Sequence, residues 1–423
     1  MNKKWIAIAT AMVTLVPTLG VQAAMAKSSA PTITLTFSWW GNTTRDKLTE
    51  KAIADYEKLH PNVNIVPQFN GSFSDYFRKL TVETAGGSAP DIIQMDYDYI
   101  SAFATRGALL DMSKLGISTQ NIDTSLLNDG KIGGKLYGIP NSINTYALFY
   151  NPQLFKKAGI KVTPNTRYTW AQFSNVMTEI HKKLGIYGTD DPEDYQHFEY
   201  YVRQKGEPIF GAGQKSVGYP VSTLTNWFTY WNKLRSSGVI PSAAISLSQK
   251  MGKANDPFMA AKSASIFYWA NLYESLHKMT NEPVKMMLPP TMPGGKEGLY
   301  IKPSQFWSIS ANTKYPKQAA QFVDYLLNNI QANEDLGTDR GIPVSSVVRS
   351  VMQKHANAVD KAEFAYFDLA AKTAKTPLGT PPPANNDQAL AQVNNIISAV
   401  AYGQESPEQG ASQTVSEMNS ILG

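Results

Sequence analysis

The chain has 423 residues, 43% of them hydrophobic and 17% charged. At about 150 residues per domain that suggests two or three folded domains with a large core, and it excludes whole-chain disorder. Lys plus Arg number 39 against 34 Asp plus Glu, a net charge of +5 that is too dilute for a dedicated nucleic-acid binder. Cysteine is absent, which removes disulfides, Cys-ligated zinc, iron–sulfur clusters and thiol nucleophiles. The five histidines (His60, His181, His197, His277 and His355) include no pair at His-x3-His spacing, so no metal and no cofactor is expected.

Lys3 and Lys4 precede an apolar run from Trp5 to Leu19 and then Ala24-Met25-Ala26 before Lys27. This is the pattern of a secretory signal peptide over residues 1–26. Thr10, Thr14, Pro17 and Thr18 interrupt the run, which falls short of the ~20 apolar residues of a membrane span. No later stretch is apolar enough to span a bilayer, and no cysteine can be lipidated. The mature protein is expected to be soluble and periplasmic.

Thr32 to Phe37 alternates polar and apolar residues and reads as a strand. Asn42 or Thr43 caps a helix carrying Leu48, Ala52, Tyr56 and Leu59, which Pro61 stops. Val63, Ile65 and Phe69 mark a second strand, Tyr76, Phe77 and Leu80 a second helix, and Asp91 to Met95 a third strand. Strands alternating with helices imply right-handed crossovers and a parallel sheet. In such a sheet ligands gather beyond the carboxyl ends of the strands. Those ends run into Trp39-Trp40-Gly41-Asn42, Asn70-Gly71-Ser72 and Asp96-Tyr97-Asp98-Tyr99. One of the two tryptophans is expected in the core. The other, with Asn42, Asn70, Asp96 and Tyr97, suits a sugar, whose C–H face lies on a ring while its hydroxyls take directed partners.

Ser38-Trp39-Trp40-Gly41, Pro90 to Asp96, Tyr137-Gly138-Ile139-Pro140, Leu148 to Asn151, Trp170 to Phe173 and Gly337 to Pro343 together resemble the extracellular solute-binding proteins, family 1. The resemblance covers essentially the whole mature chain. It implies an α/β, two-lobed Venus-flytrap fold with parallel-rich sheets flanked by helices and three crossings between lobes. Lobe 1 is expected over 27–140 plus about 298–343, and lobe 2 over 141–297 plus 344–423. The crossings are expected at Tyr137 to Asn141, at Tyr300 to Ile309 and at Gly341 to Pro343, with a strand from Asn144 to Tyr150 entering lobe 2. Asn144, Asn271 and Tyr300, at these strand ends and crossings, are candidate ligand-binding residues, and the family pattern places an aromatic platform after the strand Ser265 to Asn271, which Trp269 matches. The implied function is that of a receptor that captures a sugar or oligosaccharide and delivers it to ABC permease subunits, as a monomer. Arg45, Lys302 and Arg340 are available to an acidic sugar; similar receptors with Trp-Trp-Gly and a downstream arginine include those for pectin-derived oligosaccharides.

Other chemistries find little support. Asp96 and Asp98 are the obvious pair for a glycosidase, but no catalytic motif surrounds them. An extracellular polysaccharide-active enzyme or a carbohydrate adhesion module is the alternative reading. Gly211 to Ser216 lacks phosphate-loop spacing. Asp190 to Asp194 reads as a solvated acidic turn, and Pro381-Pro382-Pro383 as a break before the closing helices, not a recognition element.

Overall fold

The computed structural model describes residues 32–192, 195–248, 256–280 and 282–423. The expected signal peptide lies outside them, as do Glu193 and Asp194 of the acidic turn. Eleven strands are present among the described residues: β1 (Ile33–Trp40), β2 (Val63–Asn70), β3 (Ile92–Met95), β4 (Lys131–Ile132), β5 (Lys135–Leu136), β6 (Ile139–Asn144), β7 (Tyr146–Tyr150), β8 (Ser265–Trp269), β9 (Lys285–Met287), β10 (Lys302–Ile309) and β11 (Ile342–Pro343). A six-stranded sheet has the order β11-β6-β10-β3-β1-β2, a second sheet the order β8-β7-β9, and β4 with β5 forms a small hairpin.

The parallel pairing read from the sequence occupies one side of the large sheet, where helices Thr43–Leu59 and Phe73–Ala85 join β1 and β2, and β2 and β3. Strand β10 is antiparallel to both β3 and β6, β11 is antiparallel to β6, and the small sheet is antiparallel throughout. The large sheet is therefore mixed and the small one antiparallel, rather than parallel-rich.

Alternation along β1 sends successive residues to opposite faces. Phe37 lies 5.3 Å from Trp307 and 5.5 Å from Phe322 on one face, and Trp39 is 5.0 Å from Phe37. Ser38 and Trp40 turn to the other face, where the Ser38 hydroxyl is 3.0 Å from that of Tyr76 and Trp40 packs on Tyr76 and Phe77. The strand runs on to Trp40, so both tryptophans belong to it and neither sits in the loop beyond.

Strand β6 also runs further than expected. Residues 142–144 pair with β10 and β11 in the six-stranded sheet, and Thr145 alone separates β6 from β7 of the small sheet. The chain returns to the large sheet between β9 and β10. After β11 it leaves again for helix Ala358–Thr373, whose Tyr366 hydroxyl donates to the Tyr146 carbonyl. Gly341 makes the last turn possible: its φ is +115°, and a Cβ there would stand 2.6 Å from the Ile143 carbonyl oxygen.

Against the small sheet pack helix Trp170–Leu184, begun by a Thr169–Gln172 capping box and ended by left-handed Gly185, and helix Val221–Ser236. Their Trp170, Trp227 and Trp231 meet edge to face. The acidic turn is not solvated where it is described. Asp190 is 6% exposed, and Asp191 pairs with Arg235. The Phe258 N–H donates to Asp190 (3.3 Å) and to Asp256 (2.9 Å), so two carboxyls grip one amide. Burial and then the Asp256 charge push the Asp190 carboxyl well up. Among the described residues no helix is long and apolar enough to cross a membrane.

Candidate ligand-binding site

A cavity of about 430 Å³ lies between the two sheets. The six-stranded sheet contributes Tyr97 and Asp98, just past β3, and Lys302 at the start of β10. The small sheet contributes Trp269 at the end of β8; helix Tyr195–Lys205 contributes Glu199 and Arg203. Leu378, Gly379, Thr380 and Pro382 close it, and the Gly211–Gln214 turn adds a further wall.

Trp269 and Tyr146 are cross-strand neighbours on β8 and β7, and this register stacks their rings 3.8 Å apart at 19°. The Lys302 ammonium stands 4.5 Å over the Trp269 ring and 5.7 Å over Tyr97. Lys302 is 8% exposed, and its Nζ has no hydrogen-bond or salt-bridge partner among the described residues. Arg203 lies 4.8 Å over the Tyr300 ring, and its donors go to the carbonyls of Gly298, Thr376 and Pro377. The Tyr97 hydroxyl donates to Gly379 O (3.2 Å) and Thr380 O (3.0 Å). The proline-rich segment is thus held from both sides and forms a wall of the cavity, which corrects its reading as a mere break.

Burial holds up the carboxyls in and behind the cavity wall even though Arg203 and Lys302 pull on them. Burial, and then Asp98, pushes Asp96 up to about 6. Burial pushes Glu199 up to about 7 against the pull of Arg203, and it does the same to Asp129 against Lys302. Of these, Glu199 lines the cavity, and a carboxyl poised near neutrality can donate or accept hydrogen bonds, as a hydroxyl-rich guest requires. Asn386 is 3% exposed and lines the cavity with an Oδ1 that has no partner among the described residues.

Of the residues expected at the site, Tyr97, Trp269 and Tyr300 line the cavity. Trp39 does not: it is 0% exposed, with its Nε1 donating to Asp46 at 2.9 Å, and it is a core residue. Trp40 is half-buried at the sheet edge, outside the cavity. Asn42 caps helix Thr43–Leu59 by accepting from Thr44 N and Arg45 N. Asn70 accepts from Ser72 N, and Asp96 from Asp98 N; neither reaches the cavity wall.

Four more are spent where the chain passes between sheets. Arg45 Nε is 2.5 Å from Asp339 Oδ2, and the same guanidinium donates to Trp40 O and Asp339 O. Asn271 donates to Asp339 O (3.2 Å), and Asn144 donates to Asn271 Oδ1 (2.7 Å). Arg340 bonds Gln94 Oε1 (2.7 Å) and Thr49 Oγ1 (2.9 Å) and faces Trp307. Burial, then Arg45, lowers Arg340 to about 9. These side chains brace the passages and are not part of the cavity lining. The sequence reading missed Glu199, Arg203 and Asn386, which sit on helices with no local motif. Only the apolar spacing of those helices, interrupted by a charge or amide, could have drawn attention to them.

A family model described as "Bacterial extracellular solute-binding protein" matches residues 40–333. The chain is similar to the solved structure of an extracellular solute-binding protein family 1 from Alicyclobacillus acidocaldarius, with 43% identity, a TM-score of 0.72, and 93% of this chain and 99% of that chain covered. It is also similar to a periplasmic oligogalacturonide binding protein from Yersinia enterocolitica solved with saturated digalacturonic acid, at 25% identity and TM-score 0.82, covering 92% and 98%. Among curated proteins, the Maltodextrin-binding protein MdxE of Bacillus subtilis is 24% identical over 316 residues, 70% of this chain and 71% of that one.

Proposed function

The chain belongs to the bacterial extracellular solute-binding proteins, and from that membership we propose that it is the carbohydrate receptor of an ABC importer, exported to the periplasm and acting as a monomer. It captures a sugar or oligosaccharide between its two sheets, releases it unchanged to the permease and catalyses no reaction. The observation that carries this reading is the cavity itself. Trp269 on the small sheet faces space shared with Tyr97, Asp98 and Lys302 of the large one, so a guest touching both would hold them together. Neighbours that bind maltodextrin or oligogalacturonide, by their names, support the substrate class. Of the three cations available to an acidic sugar, Lys302 reaches the cavity, while Arg45 and Arg340 are spent at the passages.

The two sheets mark the two lobes, drawn at 27–140 with about 298–343 and at 141–297 with 344–423, the first boundary moved on to Asn144. A ligand binding both lobes selects the closed arrangement from an open–closed equilibrium. Solution scattering tests this: the radius of gyration falls when a bound oligosaccharide saturates the protein. A profile unchanged at saturation overturns the mechanism.

A further inference from the structure

Residues 374–385 join helix Ala358–Thr373 to helix Asn386–Ala401 and run along one wall of the cavity. Both helices are tied to the small-sheet side. Tyr366 of the first donates to the Tyr146 carbonyl, and the Val400 carbonyl of the second accepts from Asn232 of helix Val221–Ser236 (3.4 Å). With Pro377, Pro381-Pro382-Pro383 and Gly379 at a φ of +106°, the segment between them lies in neither helix nor strand. Side chains satisfy its carbonyls instead. Arg203 donates to Thr376 O (2.9 Å) and Pro377 O (3.1 Å), Gln214 to Pro381 O (3.0 Å), and Tyr97 to Gly379 O and Thr380 O.

These three donors are not equivalent. Arg203 and Gln214 stand on the same side as the two ends of the segment, whereas Tyr97 reaches it from the large sheet, just past β3. Leu378 follows the same path: it is half-buried and packs both on the main core and on the separate cluster of Tyr76, Phe77, Tyr97 and Phe306. Protein groups alone therefore join the two sheets across the cavity. The join is built to come apart. One hydroxyl proton serves two carbonyls at 3.0 and 3.2 Å, longer than a good O–H···O bond, and Gly379 and Thr380 are exposed, so water can replace Tyr97 at small net cost.

We infer that residues 374–385 form a latch: the Gly379 and Thr380 carbonyls hold Tyr97, and with it the large sheet, in the closed arrangement in part of the apo population, and they release it when the cavity opens. This rests on the open–closed reading of the receptor. A sugar that binds the closed arrangement then binds more tightly, because less of its binding energy goes into closing the protein.

Solution scattering on the apo protein tests the latch in the wild type, Tyr97→Phe, Gly379→Ala and the double variant, each shown by a melting curve to be folded at the temperature of measurement. Tyr97→Phe keeps the ring and deletes the donor. Gly379→Ala disfavours a φ of +106° where a Cβ would meet no atom within 4 Å, so it shifts the carbonyl without a clash. Each single variant raises the apo radius of gyration, as the closed-to-open ratio falls about fivefold with the lost bond. The double variant rises no further than the larger single one, since both break the same contact. An apo radius that stays at the wild-type value while the melting temperature falls makes the segment a fixed wall and overturns the latch, and so do additive increases. Galacturonide and maltooligosaccharide series, each from dimer to hexamer, separate this failure from that of the receptor. Contraction of the wild type with a sugar, beside unchanged apo variants, strikes the latch alone. If no oligomer of either series contracts the wild type, the closure reading fails and takes the latch with it.

Discussion

The passages between the sheets and the cavity beside them are both buried and both rich in charge, yet their charges are handled in opposite ways. At the passages Asp339 meets Arg45 at 2.5 Å, and Asn271 and Asn144 extend the chain of bonds. Burial works against the charged form of Asp339, but Arg45 and Arg340 outweigh it and hold the carboxyl below its usual value. At the cavity Glu199 is pushed up instead, as are Asp129 and Asp96 behind it, although Lys302 attracts all three; Lys302 itself stands over two ring faces with no hydrogen-bond partner among the described residues. A satisfied network fixes geometry; groups left short of partners are ready for a guest. The contrast separates side chains that brace the passages between sheets from side chains left facing the cavity.

The sharpest way to break the contrast is at the ion pair. Arg45→Met leaves Asp339 buried beside fewer positive partners, so stability should fall by about 3–5 kcal/mol, the cost of orphaning one member of a buried pair. Urea denaturation measures it, and the folded fraction should still bind sugar. A loss under about 1 kcal/mol would mean that the pair behaves like a solvated surface bridge.

Trp269→Ala probes the other region and should show the reverse signature. Affinity should drop by about 1–3 kcal/mol, by analogy with base–aromatic stacking. Apo stability should lose little beyond the contribution of the stacked Tyr146 pair, about 0.5–1.5 kcal/mol. Calorimetric titration and melting on one preparation decide between them: a fold weakened by about 3–5 kcal/mol with intact affinity would make Trp269 a core residue.

Acid and base should pull the two regions apart. Glu199 holds its proton more tightly folded than unfolded, so its protonated form favours folding below its ordinary value of 4.5, and that benefit disappears as pH rises through about 7. Asp339 is the reverse: its charged form favours folding above the usual carboxylate range, and the benefit is lost as pH falls through its lowered value. In apo protein, Glu199→Gln should flatten the decline in urea midpoint between pH 4.5 and 7 and leave the acid limb in place. A decline of unchanged slope would place the responsible protons elsewhere.

Local pattern was enough for the elements. The alternation of β1, a helix cap at Asn42 or its neighbour Thr43, and the span of helix Trp170–Leu184 were all readable from the chain. The site was legible only in part, because it is assembled from distant segments. Asn144 and Asn271 look like polar residues left at a cleft until Asp339, 68 residues from Asn271, is seen to claim the amide. The sequence expects one of Trp39 and Trp40 in the core, and only the run of β1 decides that it is Trp39. The run Leu378 to Pro382 has no periodicity to signal that Arg203, Gln214 and Tyr97 would draw it over the cavity.

Asn42 gives the smallest effect and the cleanest separation of the two roles. The sequence offered it equally as a helix cap and as a sugar ligand, and the structure spends its Oδ1 on Thr44 N at 2.9 Å and Arg45 N at 3.1 Å. Those two amides have no intrahelical acceptor, so the cap supplies what the first turn lacks. Asn42→Ala should cost about 1 kcal/mol of stability, and Asn42→Ser should recover most of it, since a serine oxygen caps as well. Because Arg45 is the third residue from the cap, fraying of this turn would also loosen the Asp339 pair, and the loss in Asn42→Ala should shrink when measured in the Arg45→Met background. Affinity for sugar should stay at the wild-type value in both capping variants. A drop in affinity at constant stability would return Asn42 to the ligand and move the edge of the site out to the end of β1.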